Sequence, residues 1–253
     1  MENCKPVTTQ MDPGAKLVLS NESNQDLTFS YQKAVGLLNY LTSCSRPDLA
    51  YATSILSQFL DKPLDCHVSA FRRILRYLQG TKNYELTLGG TVKNSEIIGF
   101  SDSDWGSNYD GCSFSGYGLL CGGLIIWKTK KQPIVALSTT EAELQALTEV
   151  TQDALWIKKL LFDFHLEPSI DLKCDNQGAI ALCVNPLYQH RTQHINICIN
   201  WIRDLINSNL VHISYIPTNL MWADLFTKGL GKLKHYYFCS SIKLLSHLSD
   251  RAC

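Results

Sequence analysis

The chain has no excess of either charge. Its 253 residues carry 23 Lys+Arg against 23 Asp+Glu, a formal net charge of 0. No global positive field is available to nucleic acid, so any such binding must come from local basic patches. Charged residues are also scarce, at 18% against the roughly 25% usual in soluble domains. Long apolar runs are missing. The longest, residues 119–127, is interrupted by two glycines and falls short of the ~20 residues of a membrane span, which argues against membrane insertion, and no membrane partner is expected. Paired cysteines are missing too: the ten Cys are scattered singly with no C-x-x-C, which argues against a disulfide framework. Residues 1–17 hold no apolar segment of the kind a secretory leader needs. An intracellular, reducing location is therefore expected, cytoplasm or nucleus. Apolar content is not lacking. At 45% it supports one large or two modest domains with a real core and rules out wholesale disorder.

Organisation changes once along the chain. Residues 1–28 read as coil, with Pro6, Asp12-Pro13-Gly14 and a polar run over 20–26. Residues 30–88 read as helical, with apolar stripes at Leu37, Leu38 and Leu41, at Leu49, Ala52, Ile55, Leu56 and Phe59, and at Val68, Phe71, Ile74, Leu75 and Leu78. Breaks fall at Ser45-Arg46-Pro47 and Lys62-Pro63, and Gly80 closes the third helix. From about residue 96 short strands begin: 97–100, a bent hairpin strand over 116–128, and 133–137. Ser138-Thr139-Thr140-Glu141 forms a capping box that opens a long helix to about Phe164. A fourth strand over 170–174, helices over 177–184 and 192–207, a fifth strand over 211–216 and a short helix to Lys228 complete the pattern. Antiparallel strands followed by strands alternating with helices predict an α/β fold with a five-stranded mixed sheet.

Four acids stand at element ends: Asp102 after the first strand, Glu143 near the start of the long helix, Asp175 after the fourth strand and Asp224 at the last short helix. Each alone is explained by turn, cap or helix-dipole chemistry. Together, four such carboxylates cannot converge uncompensated, because like charges at close range repel and raise each other's pKa. A pair of Mg²⁺ ions, hard cations that favour oxygen ligands and phosphates, resolves this. Two such ions clamp the attacking water and the leaving oxygen of a phosphodiester.

The four acids sit within longer blocks: Gly99-Phe100-Ser101-Asp102-Ser103-Asp104-Trp105, Ser115-Gly116-Tyr117, Trp127 with Lys130-Lys131-Gln132-Pro133, and Ala136-Leu137-Ser138-Thr139-Thr140-Glu141-Ala142-Glu143. These continue with Cys174-Asp175-Asn176-Gln177, Ala179-Ile180-Ala181-Leu182, Asn185-Pro186, His190-Arg191-Thr192 with His194-Ile195, Tyr215-Ile216-Pro217-Thr218, and Ala223-Asp224-Leu225-Phe226-Thr227-Lys228. In these blocks the chain resembles the ribonuclease H region that ends the Pol polyprotein of copia-type LTR retrotransposons. Upstream, residues 31–36, Arg46-Pro47-Asp48, and Arg73-Ile74-Leu75-Arg76-Tyr77-Leu78 look like the helices that connect that family's reverse transcriptase to its ribonuclease H.

The resemblance implies a tail of the reverse-transcriptase region over 1–29, largely coil, and a helical connection region over 30–92. It implies a ribonuclease H-like domain over 93–230 and a C-terminal tail over 231–253. It implies a C-terminal piece of a longer polyprotein, whose reverse-transcriptase and other Pol regions are partners. The implied activity is metal-dependent endonucleolytic hydrolysis of the RNA strand of an RNA–DNA hybrid. Asp102, Glu143 (rather than Glu141), Asp175 and Asp224 would be both catalytic residues and ligands of two Mg²⁺ ions, for which Mn²⁺ can substitute. Two departures stand out. Residues 217–223 hold no histidine, where many ribonucleases H carry one, and Gly111-Cys112 replaces a basic pair.

Hybrid recognition requires contacts to RNA 2′-hydroxyls and to phosphates. Candidates are Asn176 and Gln177, just past Asp175, with Arg73 and Arg76 in one basic stretch and Lys130 and Lys131 in another. His190 and His194 have the four-residue spacing of zinc ligands, but no cysteine pair matches them and helix-start hydrogen bonding is the expected role. The alternative to the enzyme is a catalytically inert remnant serving as a nucleic-acid-binding or protein-interaction module.

Overall fold

A computed structural model of the chain describes residues 4–15, 17, 30–89, 96–185 and 193–246. Along the chain the elements are α1 (Tyr31–Cys44), α2 (Ala50–Ser57), α3 (Asp65–Gly80), β1 (Tyr84–Leu86), β2 (Glu96–Asp104), β3 (Phe114–Leu120) and β4 (Leu124–Lys131). There follow α4 (Thr139–Asp163), β5 (Ser169–Cys174), α5 (Gln177–Val184), α6 (Gln193–Asn207), β6 (His212–Tyr215), a 3-10 turn (Trp222–Phe226), α7 (Lys232–Ser241) and β7 (Leu244–Ser246). They form two compact units, one of residues 1–87 with 228–253 and the other of residues 88–227.

In the first unit the three expected helices are present. Ser30 caps α1 by accepting from the Lys33 N–H at 3.3 Å. The stripe of α3 buries Val68, Phe71, Ile74 and Tyr77. The 231–253 segment, expected as a tail, carries α7, and β7 pairs antiparallel with β1. The Arg46-Pro47-Asp48 break is the unit's buried polar centre. Arg46 donates two hydrogen bonds to Asp48, at 2.9 and 2.7 Å. The Tyr77 hydroxyl donates to the same carboxylate at 2.6 Å. The Arg46 guanidinium also lies over the rings of Tyr77 and Tyr84.

The second unit is built on the expected five-stranded mixed sheet flanked by helices, with strand order β4-β3-β2-β5-β6. β2–β3 and β3–β4 are antiparallel, while β2–β5 and β5–β6 are parallel. Ser138 caps α4 by accepting from the Glu141 N–H at 3.2 Å. α4 then lays Leu144, Leu147, Val150 and Ala154 over Ile97, Leu119 and Leu172, in a core that α6 completes with Ile195, Ile199 and Ile202. Gly99 permits this approach, since a Cβ there would sit 2.5 Å from Leu172 and 2.9 Å from Leu119.

Two strand assignments need correction. The apolar run expected as one bent strand is two strands, β3 and β4. A single strand over residues 116–128 would exceed an ordinary strand, and Gly122, at φ 71°, turns the chain between the two. Residues 133–137 are not a strand. β4 occupies the sheet edge beside β3, Pro133 has no N–H to offer a ladder, and Ile134, Val135 and Leu137 are exposed instead.

Candidate metal centre

The topology brings the acids to one edge of the sheet. β2 and β5 run parallel and adjacent, with Phe100 opposite Lys173. Two residues further on, Asp102 and Asp175 reach the carboxyl ends of neighbouring strands, where open α/β sheets present their ligand sites. β4 runs parallel to β2, being antiparallel to β3, so α4 begins at this same edge and Glu143 lies in its second turn. β6 also ends there, and the 3-10 turn that carries Asp224 follows it.

Glu143 is the electrostatic focus. It is 6% exposed; its Oε1 accepts from the Ser103 N–H at 3.2 Å, and its Oε2 is buried without a hydrogen-bond partner. Burial, and then the charges of Asp102 and Asp175, push its proton affinity well above the ordinary carboxylate range. The ligand atoms of Glu143, Cys174 and Asp175 all lie within 4.8 Å of one another. Among the described residues no other group of three or more such side chains meets at this distance, so Asp102 and Asp224 stand outside it.

Asp102 and Asp224 are joined through Thr227. The Thr227 hydroxyl donates to the buried carboxylate of Asp102, and the Thr227 N–H donates to the Asp224 carbonyl at 3.2 Å. Gly116, opposite Asp102 on β3, makes room for this: a Cβ there would lie 2.5 Å from Thr227 and 2.7 Å from Phe226. Trp222 anchors the turn against Phe100, with ring centroids 4.4 Å apart. Asp175 is oriented by the Thr218 hydroxyl, which donates to it at 2.7 Å. Glu141 faces elsewhere, accepting from the Leu137 N–H at 2.9 Å as part of the helix cap. Buried Gln132 ties the start of α4 to β3, donating to Ser115 Oγ and to the Ala142 carbonyl, each at 2.9 Å.

The recognition candidates have varied settings. Asn176 is the N-cap of α5, its side chain accepting from the Ala179 N–H at 3.0 Å, and Gln177 is exposed beside it. All four basic candidates have partners within their own units. Arg73 bonds Thr9 at 3.0 Å and pairs with Asp12 at 2.7 Å. Arg76 donates to the Lys5 carbonyl at 2.8 Å. Lys130 pairs with Glu149 at 3.1 Å, and Lys131 pairs with Asp110. His190 and the side chain of His194 lie outside the described residues, as do Pro186, Arg191 and Thr192.

Sequence reasoning gave Cys174, Thr218 and Thr227 no role of their own, although all three lie in segments that carry the family likeness. Cys174 carried a readable signal, for it adjoins Asp175 at the end of an apolar strand. The threonines act across 43 and 125 residues of sequence, a separation that no local pattern marks.

An α/β sheet that brings acidic side chains together at its carboxyl edge is an arrangement able to hold a divalent cation. The sequence relatives say which family built it. The retrovirus-related Pol polyprotein from transposon RE1 of Arabidopsis thaliana is 37% identical over 249 residues, 96% of this chain and 17% of the relative. That from transposon TNT 1-94 of Nicotiana tabacum is 37% identical over 243 residues, 92% of this chain and 18% of the relative. The chain belongs to the copia-type retrotransposon Pol polyproteins. It spans less than a fifth of the length of these curated relatives. Among solved structures, LC11-RNase H1, isolated from compost by a metagenomic approach, is similar with a TM-score of 0.40 and 12% identity, over 59% of this chain and 96% of that one. No protein-family model matches. Among the described residues, no helix is long and apolar enough to cross a membrane.

Proposed function

We propose that the second unit is a metal-dependent ribonuclease H that cuts the RNA strand of RNA–DNA hybrids as part of a retrotransposon Pol polyprotein. The observation that carries this reading is the meeting of Glu143 with Asp175 in a buried setting that leaves Glu143 Oε2 without a partner. A carboxylate oxygen buried in that state is costly, and a cation relieves the cost. Glu143 and Asp175 fit a hard divalent cation, and Asp102 and Asp224, outside their 4.8 Å group, are proposed as the further residues that would hold two Mg²⁺ or Mn²⁺ ions. When bound, such ions supply activation of water and stabilisation of the leaving oxygen.

The chain's own residues position the carboxylates. The Ser103 N–H fixes one Glu143 oxygen, so the other is aimed rather than free to rotate. Thr227 and Thr218 donate to Asp102 and Asp175, which orients these carboxylates before phosphate arrives. Asn176 and Gln177, just past Asp175 at the start of α5, are proposed to contact the strand being cut, and Gln177 is exposed. Lys130, with its side chain 58% exposed, reaches a phosphate by exchanging Glu149 for it. Exposed pairs of this kind are worth only ~0–1 kcal/mol, so the exchange costs little. Arg73, Arg76 and Lys131 are proposed as further phosphate contacts, each giving up its own partner to make one. The remaining Pol regions are the proposed partners.

The test is cleavage of an end-labelled RNA–DNA hybrid by the purified chain. Mg²⁺- or Mn²⁺-dependent internal cuts confined to the RNA strand are expected. A chain that binds the hybrid yet cuts it with neither ion would be the inert module instead.

A further inference from the structure

Cys174 is the member of the 4.8 Å cluster that a magnesium enzyme does not need. It ends β5 fully buried. Its Sγ approaches both Glu143 and Asp175, and it also meets the Asn176 backbone, at 3.4 and 3.9 Å. Magnesium gains little from sulfur, whereas zinc-class cations favour mixed sulfur, nitrogen and oxygen sets. A second, independent observation is the Glu143 oxygen, more than nine-tenths buried and unpartnered, in the same cluster.

We propose that Glu143, Cys174 and Asp175 form a three-ligand site for a thiophilic divalent cation, Zn²⁺ or Cd²⁺, which occupies the position otherwise open to Mg²⁺. This rests on the reading that Glu143 and Asp175 hold a cation. As the metal–sulfur bond forms, the thiol gives up its proton to solvent. Two carboxylates and one thiolate make a three-protein-ligand set with a coordination position left over, the pattern of open zinc sites. Micromolar zinc-class ions would then antagonise magnesium-supported activity, and Cys174 would set that sensitivity.

The experiment is titration of the full chain with Cd²⁺, following thiolate-to-metal charge-transfer absorption in the ultraviolet, with Mg²⁺-induced melting shifts measured in parallel. The wild type should gain a band that saturates at one equivalent. Cys174→Ser should lose that component. Asp175→Asn, which keeps the thiol, should need on the order of tenfold more Cd²⁺ to reach the midpoint. The other cysteines give no such dependence on Asp175, so this variant decides the matter even if Cys174→Ser does not fold. No saturable band, or a band whose midpoint Asp175→Asn leaves unmoved, overturns the proposal. If Mg²⁺ still raises the melting temperature in that case, the magnesium reading stands and only the thiophilic site falls. If neither ion acts, both fall.

Discussion

Asp48 in the first unit and Glu143 in the second are both buried carboxylates, and they are treated in opposite ways. Asp48 has a cation beside it, accepting two bonds from Arg46 and one from Tyr77. Glu143 has anions beside it, Asp102 and Asp175, and one oxygen without a partner. The first arrangement is complete as it stands and holds α3 to the chain before α2. The second is complete only with an added positive charge. Burial of a carboxylate therefore does not by itself mark function; under the proposed function the sign of its neighbours does.

The largest effect should come from breaking the satisfied centre. Asp48→Ala leaves Arg46 as a buried charge without its counter-ion. It should cost about 3–5 kcal/mol in urea-denaturation stability. A loss near zero would mean the pair is not the anchor its geometry indicates.

Breaking the unsatisfied centre should instead cost activity. Asp175→Asn preserves shape and the bond from Thr218 but removes a charge. Hybrid cleavage at fixed Mg²⁺ should fall at least about a hundredfold, with hybrid binding retained in a filter or anisotropy assay. Cleavage within a few-fold of wild type would remove Asp175 from the site.

The contrast sharpens with pH. Glu143 binds its proton more tightly folded than unfolded, so between the ordinary carboxylate pKa and its raised folded value the native state holds the extra proton. Stability without metal must then fall as pH rises through that window. Glu143→Gln should abolish this slope and stabilise the metal-free chain at neutral pH by on the order of 1 kcal/mol. Melting curves across pH for both proteins check the sign.

The smallest effect belongs to Glu141→Gln. Its Oε2 serves the cap at the Leu137 N–H, so about 1 kcal/mol of stability or less is at stake. Cleavage should be unchanged, and a cleavage loss like that of Asp175→Asn would put the helix register in error.

Much of this was legible because it is local. The period of α3 and α4, the Ser138 cap and the strand end before Asp175 follow from spacing of a few residues, while the choice of Glu143 over Glu141 rested on the family resemblance. What was not legible depends on distance or competition. Residues 133–137 have strand-like side chains, yet β4 already holds the place beside β3. Helix α7 has no strong apolar stripe to announce it, although Phe238 and Cys239 are buried. The ion partners of Lys130 and Lys131 lie 19 and 21 residues away, so their basic run read as open when it is paired. Thr227 reaches Asp102 only because Gly116 lacks a side chain, a requirement visible in the sheet register and nowhere in the spacing.

The central claim is that Glu143 is held in wait for a cation. Its most direct test is the melting temperature of the metal-free chain at neutral pH, titrated with Mg²⁺, in wild type and in Glu143→Gln. Binding to the native state should raise the wild-type value progressively with concentration and leave the variant nearly unmoved. Equal rises in the two proteins, or none in either, would contradict it.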